Sequence, residues 1–281
     1  MNPTTRNIIS VLAIYLFLTT AASGAVSSRQ SSPARIPASD DPIRMLTTSA
    51  NPSPFRLSGS IVASVPSVLQ TKSTDALWAR NLGLFMNRGN ESDNAVALTF
   101  DDGPHPIFTP RLLAILRKYD VRATFFVVGK LAEKHPDLIR QIYEDGHVIG
   151  NHSYSHPNLN TLTEAEVYAE WELTSRIIES ITGERVRYCR PPGGHYNDAV
   201  LRAAVDAGLR VVWFTTNTAD YKRPATTTIV NKAMPGAQNG SIILLHTGVQ
   251  QTIEALPLII RAFRGLGLEF STVDELQPPY N

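Results

Sequence analysis

The chain has 281 residues, a formal net charge of +1 and a single cysteine, Cys189. Near-neutral charge argues against a polyelectrolyte partner such as nucleic acid, and one cysteine excludes an intrachain disulfide or a cysteine-rich metal site. The length accommodates a domain of ordinary size with a full apolar core, plus extra segments.

At the N-terminus Arg6 precedes an apolar run from about Ile8 to Ala22, and Ser23-Gly24-Ala25 offers a small-residue cleavage site. Residues 1–25 therefore read as a signal peptide, because the run is near the short end for crossing a bilayer; a retained N-terminal anchor is the alternative. Either way the remainder is expected to be exported, to a secreted, periplasmic or cell-surface location. From Val26 to about Pro54 the chain is rich in Ser, Pro, Thr and Ala, a flexible tether. Residues 55–90 hold apolar clusters without a clear period, suiting a short helix or hairpin lead-in. This division assigns 26–90 to tether and lead-in, and 91–281 to the folded domain.

From Asn94 onward, strand-like and helix-like segments alternate. The strand candidates are Ala95–Phe100, Ala123–Val128, His147–Asn151, Tyr188–Pro191, Arg210–Thr216, Ser241–His246 and Glu269–Thr272. Thr109-Pro110 predicts an N-cap followed by a first-turn proline. Thr163-Glu-Ala-Glu166 predicts a capping box, and its helix should stop at Gly183. Helices are also expected over Asn197–Ala207 and Thr252–Phe263. The pattern predicts an α/β fold, a distorted (β/α) barrel of about seven parallel strands.

The polar residues of interest fall at or just beyond the predicted strand ends. Asp101 and Asp102 close the first strand before a Gly-Pro turn, where one acid can hold a metal and the other handle a proton. A plain strand-ending turn is the competing reading. His152 and His156, four apart, can share an ion, with Pro157 forcing one turn or a tight loop. An Asp/His/His set leaves a coordination position open to water, the pattern of a reactive site and not of a closed structural one. Arg190, opening Arg-Pro-Pro-Gly-Gly194, can orient a carboxylate. Asp220 stands beside the ring of Tyr221, and His246 ends an apolar strand. Cys189 reads as core filler, and His105, His135, His147 and His195 receive no role.

Taken in order, these segments resemble the NodB-homology polysaccharide deacetylases, carbohydrate esterase family four. Thr99 to Pro104 match the family's Thr-Phe-Asp-Asp-Gly-Pro, and His152 to His156 its His-Ser/Thr-x-x-His. Arg190, Pro192 and Gly194 match Arg-x-Pro-x-Gly, and Leu244 and His246 match Leu-x-His. The resemblance implies Asp101 as general base, Asp102, His152 and His156 as metal ligands, and His246 as general acid. It also implies that Arg190 orients Asp101, that Leu244 contributes to the acetyl pocket, and that the Gly193 N–H helps bind the oxyanion. Tyr221 would line the substrate groove, with Asp220 supporting His246 or Arg190.

Two departures stand out. The family usually carries an aromatic residue where Gly193 stands, and the first acid of its Asp-x-x-Asp-Trp motif is here Asn217. If that first acid were the one supporting the histidine, His246 would be less well supported. The implied cofactor is one divalent ion, zinc by its O/N/N donor set, with cobalt or nickel as alternatives. The implied reaction is removal of N-acetyl groups from amino sugars of a cell-wall glycan, chitin-like or peptidoglycan. The competing readings are an O-acetyl esterase on a polysaccharide such as xylan, and a non-catalytic carbohydrate-binding protein. The expected partner is the glycan, with no nucleic acid, a membrane only if the N-terminal segment is retained, and a monomeric state.

Overall fold

A computed structural model of the protein describes residues 83–276. The expected signal segment, the tether and the lead-in before residue 83 lie outside the described residues. The strands are β1 (Phe85–Met86), β2 (Ala95–Gly103), β3 (Thr124–Val127), β4 (Val148–Asn151), β5 (Tyr188–Cys189), β6 (Arg210–Val212), β7 (Thr216–Asn217), β8 (Ile242–His246) and β9 (Glu269–Phe270). Helices α1 (Phe108–Lys118), α2 (Gly129–Lys134), α3 (Pro136–Glu144), α4 (Glu164–Thr182), α5 (Asp198–Asp206), α6 (Thr226–Ala233) and α7 (Gln250–Gly265) are interleaved with them.

Every strand pairing is parallel, in the order β1-β6-β5-β4-β3-β2-β8-β7, with β9 branching onto the start of β2. The sheet curls as a half-barrel, and β1 and β7 end the order unpaired to each other among the described residues. Two strands exceed the expected seven. β1 comes from the stretch read as a short helix or hairpin lead-in. The predicted strand Arg210–Thr216 breaks into β6 and β7, because the Val212 and Trp213 carbonyls turn to the guanidinium of Arg190 instead of a neighbouring strand. The short helices α2, α3 and α6 were also missed.

Side-chain alternation sorts the strand residues between two apolar layers. Val96, Leu98, Phe100, Phe125, Cys189, Val211, Ile243 and Leu245 face outward into the main core beneath the helices. Ala97, Phe126, Tyr188, Val212 and Ile242 face the barrel interior. Continuing the interior period past Ala97 gives Thr99 and Asp101; past Tyr188 it gives Arg190; past Ile242 it gives Leu244 and His246. The interior column thus changes from apolar to polar at the C-terminal ends of the strands, where parallel α/β sheets bind ligands.

Helix α4 begins with the predicted capping box, Thr163 and Glu166 each bonding the other's backbone, and Gly183 closes it at φ 76°. Asn197 caps α5 by accepting from Val200 N. The expected cap at Thr109 is corrected. Helix α1 starts two residues earlier than expected, at Phe108 with Ile107 as its cap, and Thr109 is buried within its first turn. His105 Nδ1 accepts from Ile107 N and Phe108 N, while Thr109 Oγ1 accepts from His105 N. An imidazole nitrogen therefore satisfies the orphan donors that a hydroxyl was expected to take.

His147, just ahead of β4, has a structural task. Its Nδ1 accepts from Ala123 N at 3.1 Å, so the proton sits on Nε2, which is buried without a partner. Burial pushes its pKa down to about 4, with Arg117 and Arg122 adding to the fall and Asp145 opposing it. The unfolded chain takes up this proton near pH 6.5 and the folded chain only near pH 4. The contribution is fully present above pH 6.5 and is lost as pH falls from there toward 4, by an order of 3 kcal/mol at most. The metal-free protein should therefore melt at lower temperature near pH 5 than near pH 7. His147→Asn, which keeps an acceptor for Ala123 N but does not titrate, should flatten that difference; equal falls in both proteins would refute this assignment.

Candidate active site

Asp101 and Asp102 would point to opposite faces in a regular strand. A bulge changes this: Phe100 pairs with Phe125 and Gly103 with Val127, so three steps along β2 span two along β3. The extra residue puts Asp102 in the left-handed region at φ 66°, a conformation that aspartate tolerates better than most side chains. Both acids then serve the same site.

Asp101 is 4% exposed and Arg190 1%. Arg190 Nη1 donates to Asp101 Oδ1 at 2.7 Å and to Thr99 Oγ1 at 2.9 Å; Nε reaches Val212 O and Nη2 reaches Trp213 O, both at 3.0 Å. The guanidinium lies 4.2 Å from the centre of the Phe126 ring. That ring is accommodated by Gly150, where an added Cβ would come within 2.5 Å of Phe126 Cδ1. Burial lowers the Arg190 pKa from its ordinary value, and the charge of Asp101 opposes that fall.

His152 and His156 flank a loop and not a helical turn, with His156 at φ 58°. His152 Nδ1 is 2.7 Å from the carbonyl oxygen of Arg190. A carbonyl only accepts, so Nδ1 carries the proton and Nε2 presents a lone pair. That Nε2 lies 3.3 Å from Asp102 Oδ1, and His156 Nε2 lies 3.0 Å from the same oxygen. Asp102 Oδ1 is buried and takes no hydrogen bond. The three donor atoms lie within 4.8 Å of one another. Acceptor facing acceptor is unfavourable unless a cation or a proton sits between them, so this O/N/N set fits a divalent ion. Burial acts to raise the Asp102 pKa, but the two imidazoles and the more distant His246 outweigh it and hold the carboxyl well below its ordinary value.

On the other side, β8 pairs with β2 so that His246 is the register partner of Asp101. His246 Nδ1 lies 2.7 Å from Asp220 Oδ1. Asp220 is fully buried and also accepts from His246 N, Thr252 Oγ1 and Tyr221 N. Burial lowers the His246 pKa, but the hydrogen bond and charge of Asp220, with smaller effects from Asp101 and Asp102, push it up to about 9. Asn217 is not part of this pair: its Oδ1 accepts from Ala219 N and holds the left-handed turn there. The lost acid of the fourth motif therefore leaves His246 with a carboxylate partner.

The remaining predicted residues line the rim. Tyr221 is half exposed, its ring 5.3 Å from that of His246. Leu244 is buried beneath His246 on the same face of β8. Gly193 is exposed at φ 61°, and the neighbouring N–H groups of Gly194 and His195 are engaged by the Pro191 and Pro192 carbonyls. A Cβ at Gly193 would come 3.0 Å from His195 Cδ2, so an imidazole stands beside the missing aromatic wall. The sequence reading gave no role to Thr252 or Asn151, which carry no motif signal, nor to Thr99, which it matched only as the first residue of a motif.

A half-barrel of parallel strands with an Asp/His/His cluster between two buried, charge-paired groups defines a hydrolase-type site. A family model described as polysaccharide deacetylase matches residues 88–212. The chain is 37% identical over 185 residues to a peptidoglycan-N-acetylglucosamine deacetylase of Bacillus cereus, covering 64% of this chain and 67% of that one. It is 34% identical over 195 residues to a chitooligosaccharide deacetylase of Azorhizobium caulinodans, covering 64% and 93%. Among solved structures, a peptidoglycan N-acetylglucosamine deacetylase superposes with a TM-score of 0.68 at 35% identity, covering 72% of this chain and 95% of that one. A carbohydrate esterase family 4 pseudoenzyme from Bacillus anthracis superposes with a TM-score of 0.66 at 32% identity, covering 69% of each. This chain belongs to the polysaccharide deacetylase family, the family 4 carbohydrate esterases.

The contact between Asp220 and His246 can be tested without turnover. In metal-free protein the His246 imidazole should titrate near pH 9 by NMR, and in Asp220→Asn it should titrate at least a unit lower. An unchanged midpoint would show that the carboxylate does not set it. Because the folded-state pKa is raised, the pair's contribution to stability is full below the unfolded value near 6.5 and is lost as pH rises toward 9.

Proposed function

We propose that this protein is an exported, metal-dependent deacetylase that removes the N-acetyl group from N-acetylglucosamine units of a cell-wall glycan, releasing acetate. The observation that carries this reading is the placement of Asp101 and His246 as register neighbours beside Asp102, His152 and His156. The two have different charged partners, Arg190 and Asp220.

Asp102, His152 and His156 would hold the ion, zinc by its donor set. When bound, such an ion polarises the amide carbonyl and acidifies water. Asp101, held away from the ligand set by Arg190, accepts the proton of the attacking water through its free oxygen. Arg190 fixes the carboxylate's orientation, and the Gly193 N–H would donate to the developing oxyanion. His246 carries a proton at neutral pH because its pKa is pushed up to about 9, and it delivers that proton to the departing amine. Leu244 would receive the acetyl methyl, and Tyr221 would form a wall of the sugar groove.

The His246–Asp220 pair favours amide over ester cleavage. An amine leaves only once protonated, whereas an alkoxide from an O-acetyl ester needs that proton less. Loss of Asp101, of a ligand or of His246 would have favoured the non-catalytic reading, and all of them are present in the sequence. The named activities of the Bacillus and Azorhizobium relatives support peptidoglycan or a chitin-like oligomer as substrate. The N-terminal segment read as a signal peptide supports export to the wall.

Acetate release measured over chitin oligomers, peptidoglycan and acetylated xylan with added zinc tests this; release from xylan alone would overturn it. Asp101→Asn should lower kcat by about 10²–10⁴-fold while leaving zinc bound, since the role is proton transfer and not ligation. His152→Ala should lose zinc. His246→Ala should be far more damaging on the N-acetyl substrate than on an activated acetate ester, and equal losses on both would argue against the acid role.

A further inference from the structure

The loop carrying His152 and His156 does not follow from local sequence preference. Ser153 at φ 63° and His156 at φ 58° both take the left-handed conformation that side chains other than glycine disfavour. Such residues persist where surrounding bonds over-determine them. Part of the restraint is internal: Ser153 N donates to Asn151 Oδ1, and His156 N donates to Ser153 Oγ. Part comes from the start of α2, where Gly129 N and Lys130 N donate to the Ser153 and Tyr154 carbonyls. Gly129 permits this approach, since a Cβ there would come 2.8 Å from Tyr154 Cδ2 and 3.0 Å from its Cα.

The middle of the loop is held from α4. Glu170 Oε2 accepts from Tyr154 N and Ser155 N, both at 2.8 Å, and Oε1 accepts from Ser155 Oγ at 2.8 Å. Two consecutive N–H groups converging on one carboxylate oxygen make a backbone anion cradle. Beyond Asn151 at the loop's base, Glu170 is the one side chain among the described residues that bonds the backbone between His152 and His156 from another element. It forms no ion pair among the described residues. Helix α4 does not depend on it, being capped by Thr163 and Glu166 and seated through Val167, Trp171 and Ile178.

We infer that Glu170 is a positioning residue for the metal site: by fixing Tyr154 and Ser155 it sets the direction of His156 before any ion arrives. The inference rests on the metal reading given above.

The test measures the zinc dissociation constant of chelator-stripped protein by competition with a metal-binding dye, beside the melting temperature of the same stripped samples. Glu170→Ala should weaken zinc by about 10–100-fold, the range typical of groups that orient metal ligands. Glu170→Gln, which keeps an oxygen for the two N–H groups, should recover most of that affinity. Glu172→Ala on the same helix, where Glu172 pairs outward with Arg176, should bind zinc as wild type does. Zinc affinity in Glu170→Ala within about twofold of wild type, or an equal loss in Glu172→Ala, would overturn the inference. If the alanine variant does not fold, Glu170→Met keeps the stem without an acceptor and is read by the same criteria. Wild type that binds no zinc would overturn the metal reading and this inference together, whereas zinc binding unaffected at Glu170 overturns only the latter.

Discussion

The guanidinium of Arg190 carries a full charge into the interior of the half-barrel, where an unpaired ion would cost several kcal/mol. Asp101 supplies the compensating charge, and the remaining donors are taken up by Thr99 Oγ1 and by the carbonyls of Val212 and Trp213. Removing either partner would strand the other, a loss of about 3–5 kcal/mol. The pair joins β2 to β5 and to the chain leaving β6, so the strand ends that form the site cannot drift independently. The backbone of the same residue acts a second time: the Arg190 carbonyl fixes the tautomer of His152. One position thus orients a carboxylate with its side chain and an imidazole with its main chain.

Register distributes the other roles. Parallel pairing of β2 with β8 puts Asp101 beside His246, while the bulge in β2 frees Asp102 to face the two histidines of the neighbouring loop. Without the extra residue, one of the adjacent acids would point among the helices. Asp220 then separates Asp101 and His246 electrostatically. Its carboxylate accepts four hydrogen bonds in a fully buried position and keeps His246 cationic, whereas Asp101 has a guanidinium for a neighbour.

Much of this was legible in the sequence wherever a residue type is tied to a backbone requirement. The alternation of apolar runs with capped helices gave the parallel α/β class, and the Thr163/Glu166 box and Gly183 stop fell where their chemistry placed them. Asp101, Asp102, His152, His156, Arg190, Asp220 and His246 were all drawn to the same end of the sheet by the rule that strand ends carry function. The strand count was low because β1 has two residues and no readable period, and because Arg190 splits one predicted strand through long-range bonds. The α1 cap lies two residues before the one expected: threonine before proline is a good local signal, but His105 competes for the same orphan donors. Thr252 and Glu170 were invisible for a related reason. Their partners lie 32 and 15–16 residues away, and nothing in the local sequence marks a hydroxyl or a surface-type carboxylate as aimed at them.

The compensated pairs also fix the polarity of the site as a whole. Arg190 is paired with Asp101 and His246 with Asp220, so among the described residues of the site Asp102 is the carboxylate left facing the two histidines. A divalent ion held there, as proposed, would reverse the sign and leave a net positive charge at the site. A pocket of that polarity holds monoanions in preference to neutral molecules. It would suit an anionic transition state and, by the same electrostatics, acetate, so the product of the proposed reaction would compete for the position that the transition state needs.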